Sequence, residues 1–282
     1  MPALTRRSLS AGLMILAATP AGAGEDPSLA AVEQRHGGRL GVFAFEPATG
    51  RSLAYRADQR VLMCSTWKAL AVAAVLARVD QGRESLDRPI TYGEADLLAY
   101  APVARAHLAD GALPVRALCE AAIGLSDNTA ANLLLTSLGG PAAVTGFARS
   151  IGDGVTRVDR NEPAVNDPAG LLDTTTPRAM AQSLAAILLG NALSPPSRQV
   201  LEGWMVKTTT GANRLRAGLP AGWPVADKTG SGAAQTNDIA LVRPPGRPPL
   251  VAAAFYASPG EDGPARERVL GDVGAVLARW AG

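Results

Sequence analysis

The 282-residue chain contains few of the residues that build metal sites and disulfide frameworks. It has two cysteines, Cys64 and Cys119, and two histidines, His36 and His107. Two cysteines are too few for a disulfide-stabilised scaffold, and the histidines have no metal-ligand spacing with a cysteine or a carboxylate. The sequence therefore predicts no metal centre, and nothing in its helical spacing indicates a cofactor.

Charge is also sparse, with 18% charged residues and a formal net charge of +2. Nucleic-acid binding needs a clustered basic surface, and the sequence has no basic block of that kind. After residue 23, no stretch approaches the ~20 apolar residues of a membrane-spanning helix. The chain does have 47% hydrophobic residues. At this length they suffice for the core of one large domain or of two closely packed domains.

The first 23 residues have the three regions of a secretory signal peptide. A basic start with Arg6 and Arg7 is followed by an apolar run at residues 11–18 and by the small residues 21–23. We predict cleavage near Gly24 and a periplasmic or secreted mature protein. The paired arginines also fit twin-arginine export, so that route and an ordinary secretory signal both stay open.

Strand patterns lie at both ends of the mature chain. Residues 40–45 and 51–55 flank a turn with Pro47 and Gly50, which predicts a β-hairpin. Further strands are predicted at residues 225–228, 239–243 and 250–256, and a closing amphipathic helix at 265–280. Between the two ends, helices are predicted at residues 67–79, 115–124, 129–138, 141–151, 177–189 and 197–205.

This order of elements predicts an α/β (α+β) fold. We expect residues 24–60 and 207–282 to form one α/β domain, with an antiparallel sheet assembled from both chain ends and flanked by helices. Residues 61–206 should form an all-α domain inserted between its two parts.

Four short motifs carry the chemistry. They are Ser65-Thr66-Trp67-Lys68, Ser126-Asp127-Asn128, Asn161-Glu162-Pro163 and Lys228-Thr229-Gly230. A serine hydroxyl is a weak nucleophile that needs a base within hydrogen-bond reach, and Lys68 follows Ser65 by three residues at the start of a predicted helix. The N-terminus of that helix would also point free N–H groups at a developing oxyanion. Taken singly, each motif also fits a solvated helix face, a helix cap, a surface loop or a strand that runs into a turn.

Taken together, the motifs resemble those of class A serine β-lactamases, for which S-x-x-K, S-D-N and K-T-G are the established combination, shared with penicillin-binding proteins. The resemblance runs from about residue 39 to residue 280 and includes residues 100–102, 127–132, 139–141 and 226–230. It implies an antiparallel sheet beside an all-α domain, with the active site in the crevice. It also implies hydrolysis of penicillins and cephalosporins through an acyl-enzyme, and hence antibiotic resistance. We expect a monomer.

The same resemblance implies the catalytic roles. Ser65 attacks the lactam carbonyl, and Ser126 passes a proton to the leaving nitrogen. Glu162 and Asn166 hold the water that hydrolyses the acyl-enzyme. Either Lys68 or Glu162, acting through water, is the base for acylation, and the sequence leaves both open.

Substrate-binding groups follow from the resemblance as well. Asn128 donates to the side-chain amide of the substrate, and Lys228 places a cation opposite Ser126. Thr229 and Ser231 bind the substrate carboxylate. The backbone N–H groups of Ser231 and of the nucleophile face the oxyanion.

Two further residues have weaker patterns. Arg214 falls at one of the places from which the family supplies a second cation for the substrate carboxylate, and Tyr100 falls at a stacking wall at the mouth of the site. An ordinary surface arginine and a half-buried tyrosine are the competing interpretations.

The chain departs from the family pattern in its loop and its cysteines. The segment from Asn166 to Asp173 is about two residues shorter than usual, which puts turnover, substrate range and the pairing of Arg160 with Asp173 in question. Family disulfides would need partners for Cys119 and Cys64 where this chain has Val72 and Gly232. We therefore predict two free, buried thiols.

Two other functions share most of these motifs. A penicillin-binding carboxypeptidase or transpeptidase would have the other three motifs but generally lacks the carboxylate of Glu162. A non-hydrolytic β-lactam receptor domain should carry a membrane segment or an extra module, and the sequence after Ala23 shows neither.

Overall fold

The computed structural model describes residues 25–282. The predicted signal peptide, residues 1–23, lies outside the described residues. Ten α-helices are described: α1 Pro27–His36, α2 Lys68–Asp80, α3 Pro102–Ala106, α4 Val115–Gly124, α5 Asn128–Leu138, α6 Pro141–Ser150, α7 Pro177–Leu188, α8 Pro195–Val206, α9 Leu215–Gly218 and α10 Gly263–Ala281. The described strands are β1 Arg39–Phe45, β2 Ser52–Tyr55, β3 Val61–Leu62, β4 Pro89–Thr91, β5 Ala112–Pro114, β6 Thr174–Thr175, β7 Val225–Ser231, β8 Gln235–Val242 and β9 Leu250–Ala257.

The main sheet joins the two ends of the chain. Its strand order is β2-β1-β9-β8-β7, and every neighbouring pair is antiparallel. The predicted hairpin is β1 and β2, with Val42 opposite Tyr55. Strand β1 then pairs along its whole length with β9, from Arg39 opposite Ala257 to Phe45 opposite Val251. The predicted fold class, an antiparallel sheet built from both termini and flanked by helices, is confirmed.

Successive residues of these strands face two different hydrophobic clusters, as the two-residue period of a strand requires. One face packs against α1, α9 and α10 through residues such as Val42, Ala254 and Leu270. The other face, with Phe43 and Phe255, packs against α7 and shares a continuous cluster with the helices around α2. The helical lobe is therefore anchored to the sheet by one common core.

Helix α2 is the centre of that lobe. Its first nine residues, from Lys68 to Leu76, are all buried. Its sequence is rich in Ala, Leu and Val without Gly or Pro, which favours a helix that can pack on every side. The predicted nucleophile, Ser65, precedes it on the 3-10 turn Cys64–Trp67. The predicted helix at 67–79 is confirmed, and it gives the predicted catalytic residues Ser65 and Lys68 a rigid support.

Sequence patterns fail for the short elements and for one polar strand. The sequence predicts no helix before β1, but the structure has α1, which begins after an Asp26 cap. Only two of its ten residues, Leu29 and Val32, are buried, so its apolar period is too weak to indicate a helix. Strands β3 to β6 have two or three residues each. Strand β8 begins four residues before its predicted start, since polar residues such as Asn237 continue the pairing with β7.

The two cysteines are free and buried, as predicted. The ion pair between Arg160 and Asp173 is also present, with 2.6 Å between Arg160 Nε and Asp173 Oδ2. Within residues 25–282, the helices are too short or too polar to cross a lipid bilayer.

Candidate active site

Ser65 lies where the 3-10 turn enters α2. Lys68 is the first residue of α2 and is fully buried, and Ser65 is 8% exposed. The preceding residue, Cys64, has a positive φ of 46°, a conformation that non-glycine residues adopt at some energetic cost. The strained residue beside the nucleophile is held by the buried packing of the whole segment.

Glu162 contacts both Ser65 and Lys68. Its Oε1 accepts a hydrogen bond from Ser65 Oγ at 3.1 Å and lies 3.1 Å from Lys68 Nζ. Among the described residues, Lys68 Nζ makes no hydrogen bond to Ser65 Oγ. The motif spacing predicts a lysine in direct reach of the serine, whereas the structure joins the two through the carboxylate of Glu162.

Three hydrogen bonds from Asn132 and Asn166 hold Glu162 in place. The side chain of Asn132 on α5 donates to the carbonyl of Glu162 at 2.9 Å and accepts from its N–H at 3.0 Å. Asn166 Nδ2 donates to Glu162 Oε2 at 2.6 Å. Asn132 belongs to a sequence phrase that matches the family, but its contacts with the Glu162 backbone have no sequence signal, so the sequence does not predict this role.

The base of this loop is held by Asp173. Besides the ion pair with Arg160, its carboxylate accepts from the N–H groups of Asp159 at 2.7 Å and of Arg160 at 3.1 Å. Asp173 is fully buried, so these charge-assisted bonds replace its hydration. The pairing of Arg160 with Asp173, which the shorter segment puts in question, is therefore present.

Ser126 lies between two lysines. Its Oγ accepts from Lys228 Nζ at 3.0 Å and from Lys68 Nζ at 3.4 Å. A hydroxyl that accepts two hydrogen bonds keeps its own proton for a third partner. Ser126 has a φ of 59°, and the next residue, Asp127, caps α5 by accepting from the N–H of Ala130 at 2.8 Å, as the motif's alternative interpretation predicts. The local turn thus directs the Ser126 hydroxyl into the site.

Both lysines have a lowered pKa. Burial is the main cause that lowers the pKa of Lys68, and the nearby Glu162 carboxylate opposes it. Burial also lowers the pKa of Lys228 well below its ordinary value, and the charges of Lys68 and Arg214 add to that effect. A lowered ammonium pKa makes proton release from these side chains easier, which suits groups that relay protons.

Strand β7 approaches the nucleophile closely at Gly230. A Cβ atom on this residue would lie 2.7 Å from Met63 O and 3.2 Å from the backbone nitrogen of Ser65. Only glycine allows the strand to pass at this distance. The glycine of the K-T-G motif therefore brings the backbone of Ser231 next to that of Ser65.

Arg214 reaches the same strand from the turn before α9. Its Nη1 donates to the carbonyls of Gly230 at 3.0 Å and Asn237 at 2.7 Å, and its Nη2 donates to Ser231 Oγ at 2.7 Å. It is 5% exposed, so the interpretation as an ordinary surface arginine is wrong. Its Nε lies 3.2 Å from Glu267 Oε1 on α10. No local motif marks Glu267, because it comes from the closing helix.

Two buried carboxyl groups belong to this strand and its neighbour, Asp227 to β7 and Asp238 to β8. Burial is the largest cause that raises the pKa of Asp227, although Arg216 forms an ion pair with it. Burial and the neighbouring Asp227 raise the pKa of Asp238 well above its usual value. The raised pKa values favour the protonated, neutral form of both acids, while the nearby Arg214 acts in the opposite direction on each.

Eight of the predicted site residues line one cavity of about 490 Å³, together with Thr210 and Glu267. The eight are Ser65, Tyr100, Ser126, Asn128, Asn166, Arg214, Thr229 and Ser231. The other three, Lys68, Glu162 and Lys228, are buried behind the wall and contact it by the hydrogen bonds given above. Tyr100 is 51% exposed at the mouth. Asn128 Oδ1 accepts from Lys68 Nζ at 2.6 Å, and Thr210 Oγ1 lies 2.6 Å from Thr229 Oγ1.

The thiol of Cys64 is buried beside Ser65 and favours its protonated form. Burial raises the pKa of Cys64 to about 12, and the charge of Glu162 adds to this effect. The reactive form of a cysteine is the thiolate. Cys64 therefore serves as packing.

The fold and this arrangement of groups define the class of protein, a serine-dependent acyl-transfer enzyme with a helical lobe set into an antiparallel sheet domain. The sequence model of the β-lactamase enzyme family matches residues 26–281. The chain therefore belongs to the β-lactamase family, in its class A, and is a β-lactam hydrolase.

Relatives of known sequence and structure agree over nearly the whole chain. The β-lactamase of Streptomyces albus G is 44% identical over 90% of this chain and 83% of its own length. The β-lactamase of Mycobacterium tuberculosis is 47% identical over 92% of this chain and 86% of its own. Among solved structures, a β-lactamase from Burkholderia vietnamiensis has a TM-score of 0.90 at 52% identity, covering 93% and 98% of the two chains. An ancestral class A β-lactamase has a TM-score of 0.88 at 57% identity, covering 90% and 98%.

Proposed function

We propose that the enzyme hydrolyses penicillins and cephalosporins in two acyl-transfer steps on Ser65. The observation that carries this proposal is the 3.1 Å hydrogen bond from Ser65 Oγ to the buried carboxylate of Glu162. An enzyme that only becomes acylated needs a nucleophile and a proton relay. An enzyme that turns over also needs a base beside the ester, and Glu162 supplies it.

In acylation, Ser65 Oγ attacks the lactam carbonyl carbon and loses its proton to a base. Glu162 accepts a hydrogen bond from this hydroxyl, whereas Lys68 is linked to it only through Glu162. This geometry favours Glu162 as the first proton acceptor. The C–N bond then breaks, and the leaving nitrogen takes the proton of Ser126, which Lys68 replaces. Glu162 passes the proton that it took from Ser65 to Lys68, 3.1 Å away, and is a carboxylate again before deacylation. The N–H groups of Ser65 and Ser231 stabilise the oxyanion.

The substrate carboxylate binds at the end of β7. Ser231 accepts a hydrogen bond from Arg214, so its own proton is free for the substrate. Thr229 adds a second hydroxyl, and Arg214 and Lys228 provide positive charge. Asn128 and Tyr100, on the opposite wall, contact the acylamino side chain of the substrate.

In deacylation, water attacks the ester carbonyl of the acyl-enzyme. Glu162, held by Asn166 at 2.6 Å, takes a proton from this water, and Ser65 Oγ leaves and recovers its proton. In the acyl-enzyme, before this attack, the water and the ester lie next to Glu162 Oε1. This step separates a hydrolase from a penicillin-binding protein that stays acylated.

We propose the expected domain organisation and cellular setting as well. Residues 24–60 and 207–282 form the α/β domain and residues 61–206 the helical one, and the shared core around α2 supports their close association. We propose that residues 1–23 export the chain, and that the mature enzyme acts as a monomer in the periplasm or outside the cell, where it confers resistance.

The test is a time course of purified residues 24–282 with excess benzylpenicillin and, separately, a chromogenic cephalosporin, followed by intact mass. We expect many turnovers for each enzyme molecule and a free protein mass at the end. A single stoichiometric burst with a lasting adduct would contradict the proposed deacylation. Turnover of only one substrate would contradict the proposed range.

A further inference from the structure

A second cavity, of about 170 Å³, lies at the end of the sheet where β1, β8 and β9 meet residues 56–62. Its lining includes Arg39, Arg56, Arg60, Gly41, Phe255 and Asn237. None of these residues lines the catalytic cavity. This second cavity is therefore a separate space, for which the hydrolytic mechanism has no use.

The charged residues that line the second cavity are all basic. Three arginines line it and no acidic residue does. Arg56 is neutralised by Glu33, with 3.0 Å between the charged groups. Arg39 donates to Gln59 Oε1, and Arg60 donates to Thr174 Oγ1 at 2.8 Å and to the carbonyl of Val155 at 3.1 Å.

Arg39 and Arg60 thus have neutral acceptors, and among the described residues no carboxylate lies within 4 Å of either. Two guanidinium groups at one cavity, without a counterion, create a positive potential that favours an anion. Planar guanidinium groups match a carboxylate especially well, since each offers parallel N–H donors.

The inner wall is apolar. Gly41, Phe255 and Val61 line it, and Pro177 packs closely behind Gly41, where a Cβ would lie 3.1 Å from Pro177 Cγ. A cavity of about 150 Å³ holds one benzene ring. The volume here therefore fits an apolar group of about one ring, behind a charged rim.

We propose that this second cavity binds a small organic anion, with its carboxylate on Arg39 and Arg60 and an apolar body of about one ring against Gly41 and Phe255. The second cavity is connected to the catalytic segment through Asn237. Asn237, which lines the second cavity, donates to the carbonyls of Leu62 at 2.9 Å and Met63 at 3.0 Å, just before the turn that carries the nucleophile.

Titration of the 15N-labelled protein with benzoate, and with benzamide as the neutral analogue, tests the proposal. We expect benzoate to shift the backbone amide signals of Gly41, Leu62, Gln235 and Ala257 in a saturable way, and benzamide to bind at least about tenfold more weakly. Absence of these shifts, or shifts confined to residues of the catalytic cavity, would overturn the proposal. Equal binding of benzamide would overturn the role of the arginines.

A charge variant with a matched control sharpens the test. Arg39 is exposed, and among residues 25–282 its side chain hydrogen-bonds to Gln59 alone, so Arg39→Gln should leave the fold intact. It should weaken benzoate binding by about tenfold, the effect of losing one charged hydrogen-bond partner. Arg83→Gln removes the same charge from an exposed arginine outside the second cavity and should leave benzoate affinity unchanged. If the two variants bind benzoate equally, the assigned site is wrong.

Discussion

At the scale of single residues, the Ser65 hydroxyl has a defined acceptor, Glu162 Oε1, and lies next to a backbone that β7 can approach only at Gly230. Removal of this hydroxyl deletes the proposed nucleophile. We expect Ser65→Ala to lower the rate of benzylpenicillin hydrolysis by about 10⁴-fold or more while the protein stays folded. Ser150→Ala, on the exposed end of α6, is the control and should keep the wild-type rate. Wild-type turnover by Ser65→Ala would show that another group is the nucleophile.

Arg214 shows how a residue can have a role that its neighbours in sequence do not reveal. Its guanidinium contacts Gly230, Ser231, Asn237 and Glu267 at once, which a lysine ammonium cannot do. We expect Arg214→Lys to lower kcat/KM for benzylpenicillin by about tenfold, mainly through KM, because the substrate carboxylate loses an oriented cation. Arg105→Lys, on the surface, is the matched control. Steady-state kinetics showing equal KM for the variant and the wild type would contradict this role.

At the scale of elements, long elements with clear periodicity could be predicted from the sequence, because burial imposes the period. Helix α4 has the predicted bounds, and α2 and α7 differ from theirs by one residue at one or both ends. Strand β8 could not be predicted in full, since its first residues serve the site and are polar. Strands β3 and β6 could not be predicted either, because two residues on each side carry no pattern.

The loop that carries Glu162 depends on one buried carboxylate at its base. Asp173 accepts three hydrogen bonds from Asp159 and Arg160, and Asn in its place would accept fewer and lose the charge. We expect Asp173→Asn to slow deacylation by about tenfold, since Glu162 would be less well held. Rapid-quench measurement of the acyl-enzyme should show it accumulating in the steady state.

Asp167→Asn is the matched control for that loop, because Asp167 lies on the same segment with an exposed side chain. It should leave the fraction of acyl-enzyme at the wild-type level. Equal acyl-enzyme fractions in Asp173→Asn and the wild type would show that the clamp does not set the position of Glu162.

The connection between α2 and β4 contributes an acid-sensitive contact. Glu84 binds Arg88 at 2.6 Å and lies 3.3 Å from Ser137 on α5. The Arg88 guanidinium is the main cause that lowers the pKa of Glu84 from 4.5 to about 2. A lowered carboxyl pKa stabilises the fold above pH 4.5, and this stabilisation is lost as the pH falls from 4.5 towards 2.

We expect Glu84→Gln to lower the free energy of unfolding by about 1 kcal/mol at pH 7, because the pair is partly exposed to solvent. The difference from the wild type should shrink as the pH approaches 2. Urea unfolding at several pH values measures it, with Glu94→Gln as a control at an exposed acid. A difference that stays constant from pH 7 to pH 2 would contradict the proposed ion pair.

At the scale of the whole molecule, the site exists only because the two chain ends close one sheet. Residues 65 and 228 belong to distant parts of the sequence, yet β7 passes directly beside the turn of the nucleophile. The motif residues could be predicted because each has a recognisable neighbour in sequence. Asn132, Thr210 and Glu267 could not, because their contacts arise from packing between separate elements.

Direct contact of Glu162 with both Ser65 and Lys68 is likewise a property of the folded molecule. The spacing of Ser65 and Lys68 along one helix predicts a direct pair. The fold instead brings a carboxylate from a loop almost a hundred positions later in the chain into the space between them. The sequence therefore indicates which groups take part, and the packing decides which of them touch.

The most direct test of the central claim, that Glu162 releases the acyl group from Ser65, is intact mass spectrometry of Glu162→Ala after mixing with benzylpenicillin. The claim predicts a lasting adduct of one penicilloyl group, which peptide mapping places on Ser65, and no adduct in the double variant Ser65→Ala/Glu162→Ala. Turnover by Glu162→Ala at the wild-type rate without an adduct, or an adduct on another residue, would contradict it.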